Sequence, residues 1–555
     1  MSESEGDDGS LYSRKRARLD TSQSRTDSPS LFSDISSISF DTSGLRSSTS
    51  TTSSVAIERL PLPAIKIKKI GKDATRFKPI NRDRMYWKVV NNPNSLQPII
   101  NEWVYEYQFD GNALFAILQF IIDIMGYQSF DVKEALTDWE NLHEINGQLE
   151  EWSSLQQKDF QCVLINKTTY CKSVSKTYFN FIYYLMKTCS SCNIVYDHYF
   201  LDRLLKILIV MSKSMVRVVR HTAVITVVKL CTELISIMQD IDKDEEKQAY
   251  LHTKINSCLN VYYMNCGLSD AKMSYMRTSC LNECNKWIHL APNLMANKKS
   301  LTVLRRMLLD IQPVIRIAAL TTIKCLMPNL LRDQFEEQEL ILSRLMKEVE
   351  NRLVDVNQVV VEQAILVIYE HTKELCVEHS SDIRNYIFKC IYVENRNIAR
   401  AAGNYLYYLL SEALPEEFLK KIVLFDSARD KSTALFVDAL IDTAREFQDF
   451  DFILEYLYDN NGEFSQYEEN KLIKMFYYAA KYMLTGEFSG IPNNRKTEAA
   501  KFAANYQQFI EHFQPKINSF IDKYKSSNEG LKFLLQTILL IDFCRTEFSR
   551  GVSHI

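Results

Sequence analysis

"RRMLLDIQPVIRIAALTTIKCLMPNL", residues 305–330, decides how the rest of the chain is understood. Its first part alternates charge and bulk at helical spacing, which predicts an amphipathic helix. A turn holding Asp310 and Pro313 follows, and a second helix then opens Val-Ile-Arg-x-Ala-Ala. In this pattern the aspartate can cap the second helix, and Arg316 can pair along a ladder of neighbouring units.

Other segments open a second helix in a related way: "SYMRTSCLNEC" at 274–284, "DVNQVVVEQAILVIYEH" at 355–371 and "NIARAAGNYLYYLL" at 397–410. Aligned on these openings, Arg277, Arg316, Glu362 and Arg400 are 39, 46 and 38 residues apart. HEAT units recur at about 40–47 residues. One such helix pair cannot bury its own apolar faces, so the units must stack. The expected fold is all-α: a curved α-solenoid of HEAT-like helix pairs preceded by a disordered N-terminal tail.

The stretch "RVVRHTAVITVVKLCTELI" (217–235) belongs to the same array. Val216, Val219, Ala223, Val227, Leu230, Leu234 and Met238 share one stripe, widened by further Ala, Val and Cys. A stripe that wide fits a helix packed on two sides. The Arg220-His221-Thr222 triplet at its head lacks a local nucleophile or orienting acid. His221 is therefore expected either between repeats or on a neighbouring backbone carbonyl, and Arg217 and Arg220 are the outward contacts.

Composition agrees with an all-helical chain. The 555 residues hold 14 Gly and 12 Pro, far below average usage, while phosphate-cradling loops and tight hairpins both consume glycine. Hydrophobic residues reach 46%, enough for a large interior. The formal net charge of −3 gives no bulk attraction for nucleic acid, so any such binding needs a local patch. The 13 cysteines lie mostly in apolar helical runs (Cys231, Cys325, Cys390), where they act as small hydrophobes. The first ten residues are acidic and polar, unlike a signal peptide. The most apolar span, "ALFAILQFIIDIMGY", is broken by Gln119 and Asp123 and is too short to cross a bilayer. A soluble, intracellular protein is expected, and the Asn166-Lys167-Thr168 sequon is then fortuitous.

Residues 1–55 are too polar to fold: 20 of the 34 positions from 21 to 54 are Ser or Thr. Within them Arg14, Lys15, Arg16 and Arg18 form a dense basic cluster expected to serve nuclear import. A linker at 56–84 carries Lys66, Lys68, Lys69 and Lys72, which could meet DNA phosphates or an acidic partner. Helical patterning divides into an N-terminal region (85–250), HEAT-like repeats (251–412) and further helical repeats (413–555), with "TGEFSGIPNNRKTE" (485–498) as the one obvious loop. The acidic run "DIDKDEEK" (240–247) is expected as a solvated loop between helices.

No constellation of catalytic weight is present, and neither a P-loop nor a dinucleotide fingerprint occurs. Cys189-Ser-Ser-Cys192 is a lone CxxC; with His198 it remains one ligand short of a structural zinc site. No enzyme activity and no cofactor or metal are expected.

Laid out in order, five segments resemble the stromalin (stromal antigen) family, the HEAT-repeat subunits of cohesin. "IVYDHYFLDRLLKILIVMSKSMVRVVRHTAVITVVKLCTELI" (194–235) is similar to the family's STAG region, and "DGNALFAILQFIIDIMGY" (110–127) to its first helix. "RTSCLNECNKW" (277–287), "ELILSRLMKEVENRLVDVNQVVVEQAILVI" (339–368) and "IYVENRNIARAAGNYLYYLL" (391–410) resemble successive parts of the stromalin conserved domain and the helix beyond it. The resemblance runs from about 100 to 445 and more faintly to the end. The family's arm continues through many more repeats, so an incomplete cradle for the kleisin subunit is expected. The family's surface for aromatic peptides uses a tryptophan where this sequence has Arg306; its arginine matches Arg344, and the adjacent aromatic is Leu345 here. A changed choice of partner follows.

What the resemblance implies is a nuclear, chromosome-associated, non-catalytic scaffold. Its partners would be a kleisin or another chromosome-conjunction protein, with an SMC complex and DNA as further candidates. A meiotic paralogue holding homologues together is the favoured form. The alternatives are an ordinary mitotic cohesin subunit, or a karyopherin-like transport adaptor, which would need Trp and Asn at repeat spacing. Candidate contacts with DNA or partners are Arg217, Arg220, Arg305, Arg306 and Arg344, with the linker lysines.

Overall fold

The computed structural model describes residues 82–552, except 129, 137–138, 140–141, 156–161, 167, 242–243, 267–273, 331–334, 412–413, 430, 460–463 and 487–498. The described residues all belong to one compact unit, Phe77–Ile555; a first unit, Met1–Arg76, contains none of them. The basic cluster at 14–18, lysines 66–72 and most of the 485–498 loop therefore lie outside the described residues.

Among the described residues there is no strand. The first helices are α1 (Met85–Asn91), α2 (Leu96–Phe109), α3 (Leu114–Met125), α4 (Val132–Ala135), α5 (His143–Leu155) and α6 (Thr169–Ser191). Next come α7 (Phe200–Met211), α8 (Arg217–Asp240), α9 (Glu245–Cys266), α10 (Ser274–Leu290), α11 (Lys298–Leu308) and α12 (Pro313–Leu326). The middle continues with α13 (Phe335–Asn351), α14 (Gln358–Leu375), α15 (Ser381–Cys390), α16 (Arg396–Leu410), α17 (Pro415–Ser427) and α18 (Thr433–Leu440). The last are α19 (Phe450–Asp459), α20 (Gln466–Thr485), α21 (Ala499–Phe513), α22 (Ile517–Tyr524) and α23 (Asn528–Val552). From α6 to α20 the even-numbered helices stack side by side, and α23 closes that row. A second row, α7, α9, α11 and α13, packs beside it. This is the expected solenoid of helix pairs.

Several helices begin where short polar side chains accept orphan backbone donors. Thr168 Oγ1 accepts from Cys171 N at 3.2 Å, and Asn166 Oδ1 from Thr168 N at 3.2 Å, so the sequon residues form the cap of α6. Asn297, Asn357, Ser380 and Asn395 cap α11, α14, α15 and α16, and Ser465 with Glu468 makes a full capping box on α20. The acidic run is partly helical: Glu245 and Glu246 occupy the first turn of α9, where carboxylates suit the dipole.

Helix α8 lies at the centre of its neighbours. Fifteen of its 24 residues are buried, which is burial on all sides rather than along one stripe. It packs on α6, α7, α9 and α10 together. Among the described residues it is also the one helix long and apolar enough to span a membrane, in place of the shorter 113–127 span, and 78% of its apolar window is buried among other helices. A polar chain ties it to α10: Trp287 Nε1 donates to Thr232 Oγ1 at 2.8 Å, Thr232 Oγ1 donates to Glu283 at 2.9 Å, and Lys229 pairs with Glu283 at 2.6 Å.

The turns inside successive helix pairs are clipped together. Arg277 of α10 reaches Asp310 in the next turn at 2.7 Å, and Arg316 of α12 reaches Asp355 in the one after at 2.8 Å. Arg316 also donates to the carbonyls of Asp310 at 2.7 Å and Ile311 at 3.0 Å. Asp310 does not cap α12. Its carboxylate accepts from Gln312 N, Gln312 holds the N-cap position without a side-chain bond, and Pro313 fills the first helical position.

The ladder then changes. Arg316 stands four residues after its N-cap, and in α14 and α16 that place belongs to Val361 and Ala399. Glu362 and Arg400 are one residue out of the expected register. The next link is neutral, Gln358 to Asn395 at 2.6 Å. Arg396 and Arg400 instead bind Asp442, beyond the end of α18, at 3.2 and 2.9 Å. Beside them Gly403 lets α16 touch α18, because a Cβ there would lie 2.3 Å from the Ala439 carbonyl oxygen.

Candidate partner interface

The five expected arginines occupy two places. Arg217 is exposed at the first residue of α8, where a cation opposes the helix dipole. Arg220, one turn later, is half-buried and its Nη1 donates to Ser214 O at 2.7 Å. Glu150 of α5 braces the same turn, accepting from Met215 N at 3.0 Å and Ser214 Oγ at 3.2 Å. Arg220 is thus a strut of the turn before α8, as Arg316 is of the turn before α12.

His221 is only 2% exposed and its ring meets Tyr275 edge-on at 5.7 Å. Neither ring nitrogen has a hydrogen-bond partner among the described residues, so the expected bond to a backbone carbonyl is not made. Burial, and then the neighbouring Arg220 charge, push its pKa down to about 4, which keeps it neutral. With its ring closed off from solvent, His221 serves the packing of α8 against Tyr275 of α10.

Arg305, Arg306 and Arg344 form the second group, on the adjacent second-row helices α11 and α13. Arg306 and Arg344 are exposed, while Arg305 makes a loose pair with Glu348 at 3.9 Å. Arg305 and Arg306 sit in the last turn of α11, where cations complement the dipole. Leu345 is fully buried, in the core with Leu304, Leu308 and Val349. Its side chain thus points into the core, away from the surface that carries Arg344. The sequence alone could not separate these neighbours, because α13 turns one outward and the next inward.

The CxxC pair also diverges: Cys189 is buried near the end of α6, and Cys192 is exposed beyond it. Among the described residues no group of three His, Cys, Asp or Glu could hold a metal ion.

Comparison with known proteins gives this solenoid relatives. The STAG domain family matches residues 161–256, and the family described as cohesin subunit SCC3/SA, HEAT-repeats domain, matches 436–554. Cohesin subunit SA-1 of Xenopus laevis is 23% identical over 83% of this chain and 41% of its own. Cohesin subunit SA-3 of Mus musculus is 20% identical over 80% of this chain and 40% of its own. The chain thus spans about two fifths of the length of these relatives. A solved structure of cohesin subunit Scc3 from Z. rouxii superposes with a TM-score of 0.60 at 13% identity, covering 86% of this chain and 63% of that one. Its likeness is one of fold. Two family matches in order along one solenoid, with similarity to the same subunits over about four fifths of the chain, make it similar to the stromalin family of SCC3/SA cohesin subunits.

Proposed function

We propose that the protein is a non-catalytic, chromosome-associated scaffold that works in cohesion or conjunction of chromosomes by binding partner proteins. The observation that carries this reading is the unbroken solenoid from α6 to α23, bearing the STAG match at 161–256 and the SCC3/SA match at 436–554. A rod of stacked helices presents long surfaces and no reaction centre. A kleisin, or another chromosome-conjunction protein, and an SMC complex are its proposed partners. The nucleus is the proposed compartment, supported by the basic cluster Arg14 to Arg18. With it we propose the regional boundaries at 85–250, 251–412 and 413–555.

The finer reading is a paralogue specialised for meiosis. It is supported by exposed Arg306 where the family resemblance places a tryptophan, a change that removes an aromatic ring from that surface and so alters the partner it suits. Direct DNA contact through Arg217, Arg305, Arg306 and Arg344 is proposed on the same footing; phosphate contacts need only positioned cations. Affinity purification with mass spectrometry from dividing and meiotic tissue is the test. Recovery of SMC and kleisin subunits from both identifies an ordinary cohesin subunit. A conjunction partner recovered only from meiotic tissue identifies the specialised one. Recovery of neither class overturns the scaffold reading. Alanine at the four arginines should lower DNA affinity and flatten its salt dependence, and unchanged binding removes DNA from the proposal.

A further inference from the structure

A surface on another helix has a clearer chemistry. Helix α2 turns Tyr105 and Phe109 outward, 65% and 77% exposed, with rings in edge contact at 4.8 Å. The face around them is acidic: α2 carries Glu102 and Glu106 and ends on Asp110, with no lysine or arginine in between. Lys88 satisfies Glu102 at 2.9 Å, whereas Glu106 and Asp110 meet no cation among the described residues.

Beside Phe109 the surface sinks into a cleft of about 560 Å³, lined by Asp110, Gly111, Cys192, Asn193 and Asp197. Those residues mark two helix ends. Asp110 and Gly111 directly follow α2, and Cys192 and Asn193 directly follow the 23-residue α6. A helix C-terminus carries partial negative charge, which a cation such as Lys, Arg or His in the last turn can offset. Neither helix has one. Asp197 adds a carboxylate held in place by Tyr107 Oη at 2.6 Å and by the Tyr199 and Phe200 amides. The nearby Arg203 is already engaged, donating to Tyr199 Oη and lying over the Trp139 ring at 4.4 Å.

We propose that this face is a docking site for a basic segment of a partner protein. An arginine or lysine enters the cleft between the two helix ends, and an adjacent aromatic or aliphatic side chain lies on the Tyr105–Phe109 pair. Charge complementarity sets the partner: a cation gains from two helix C-termini and from Glu106 and Asp110, which meet no other cation among the described residues, and a phosphate backbone is repelled by them. Exposed aromatics supply the apolar contact at low entropic cost. The inference stands on the fold alone and does not depend on the scaffold reading.

The test uses the full chain and a fluorescein-labelled octapeptide, Gly-Ser-Arg-Phe-Arg-Leu-Ser-Gly, followed by fluorescence anisotropy. Its twin with glutamate for both arginines and a twin with serine for Phe and Leu serve as controls. Glu106→Lys and Phe109→Ser change exposed side chains, and thermal melts confirm that both fold. Each variant should weaken the arginine peptide about tenfold, as loss of one anchoring contact does. Both twins should bind much more weakly than the parent. Equal binding by the variants, equal binding of the glutamate twin, or displacement of the peptide by a 20-base-pair DNA duplex in a Phe109-dependent way would each overturn the proposal.

Discussion

The Arg316–Asp355 clip predicts a measurable coupling between neighbouring helix pairs. Both groups are largely withdrawn from water, 12% and 4% exposed in their side chains. Arg316 spends its donors on Asp355 and on two turn carbonyls, and Asp355 also accepts from Asn357 N at 2.9 Å. Replacing Asp355 with Ala leaves a partly buried guanidinium facing carbonyls alone and removes the cap of the next turn, a loss of about 2–4 kcal/mol. Arg316→Ala should cost about 2–3 kcal/mol, because Arg352 remains 3.6 Å from the aspartate. The double variant should fall short of the sum, with a coupling of about 1–2 kcal/mol. Burial alone would raise the Asp355 carboxyl, but Arg316, the Asn357 amide and Arg352 together hold it below its ordinary value. A depressed carboxyl stabilises above its unfolded pKa of about 3.9, and that contribution vanishes as pH falls through the folded value. The coupling should therefore be intact at pH 7 and absent at the acid end. Native-state hydrogen exchange, which resolves local opening in an array, should locate the loss in the turns at 309–316 and 354–361. Additive single effects at pH 7, or protection lost evenly along the chain, would refute the reasoning.

His221, neutral with a pKa near 4, must take up a proton on unfolding anywhere between that value and about 6.5. Stability should fall by up to about 3 kcal/mol as pH drops across this window, and His221→Leu, which strands no buried nitrogen, should flatten the pH profile of thermal melting. Gly403→Ala should destabilise by about 3 kcal/mol, since the new methyl meets the Ala439 backbone rather than a movable side chain; a melting temperature within error of the parent would contradict the close approach. Leu345→Ala should cost about 2–5 kcal/mol and Arg344→Ala under about 0.5 kcal/mol, compared by denaturant midpoint. Leu345→Phe should also destabilise, by about 1–3 kcal/mol, because the added ring has core on every side.

Periodicity made the solenoid legible. A three-to-four spacing of apolar residues and a recurring helix opening specify paired helices whatever their tertiary detail. The same signal could not fix register to one residue. Arg277 and Arg316 carry the ladder, but Val361 holds the equivalent place in α14, and the eye slides to Glu362 because it is charged. Side-chain direction was likewise beyond the sequence: Arg344 and Leu345 differ by 100° around α13, and only packing decides which faces the core. The surface on α2 was missed for another reason. Its cleft is made where α2 and α6 end together, residues 109–111 and 191–193, and proximity between distant helix ends leaves no trace in local patterning.

The neutral amide link between Gln358 and Asn395 has a mechanical meaning. On its N-terminal side, rungs of opposite charge lock each turn to the next, and on its C-terminal side Arg396 and Arg400 grip Asp442. Between them one uncharged, solvent-exposed bond spans the join at that edge. A rod loaded at both ends concentrates its bending at its softest joint. At this edge the join between α14 and α16 has, beyond the packing of the two helices, a single Gln–Asn pair, so a bending load would open it before the charged rungs on either side.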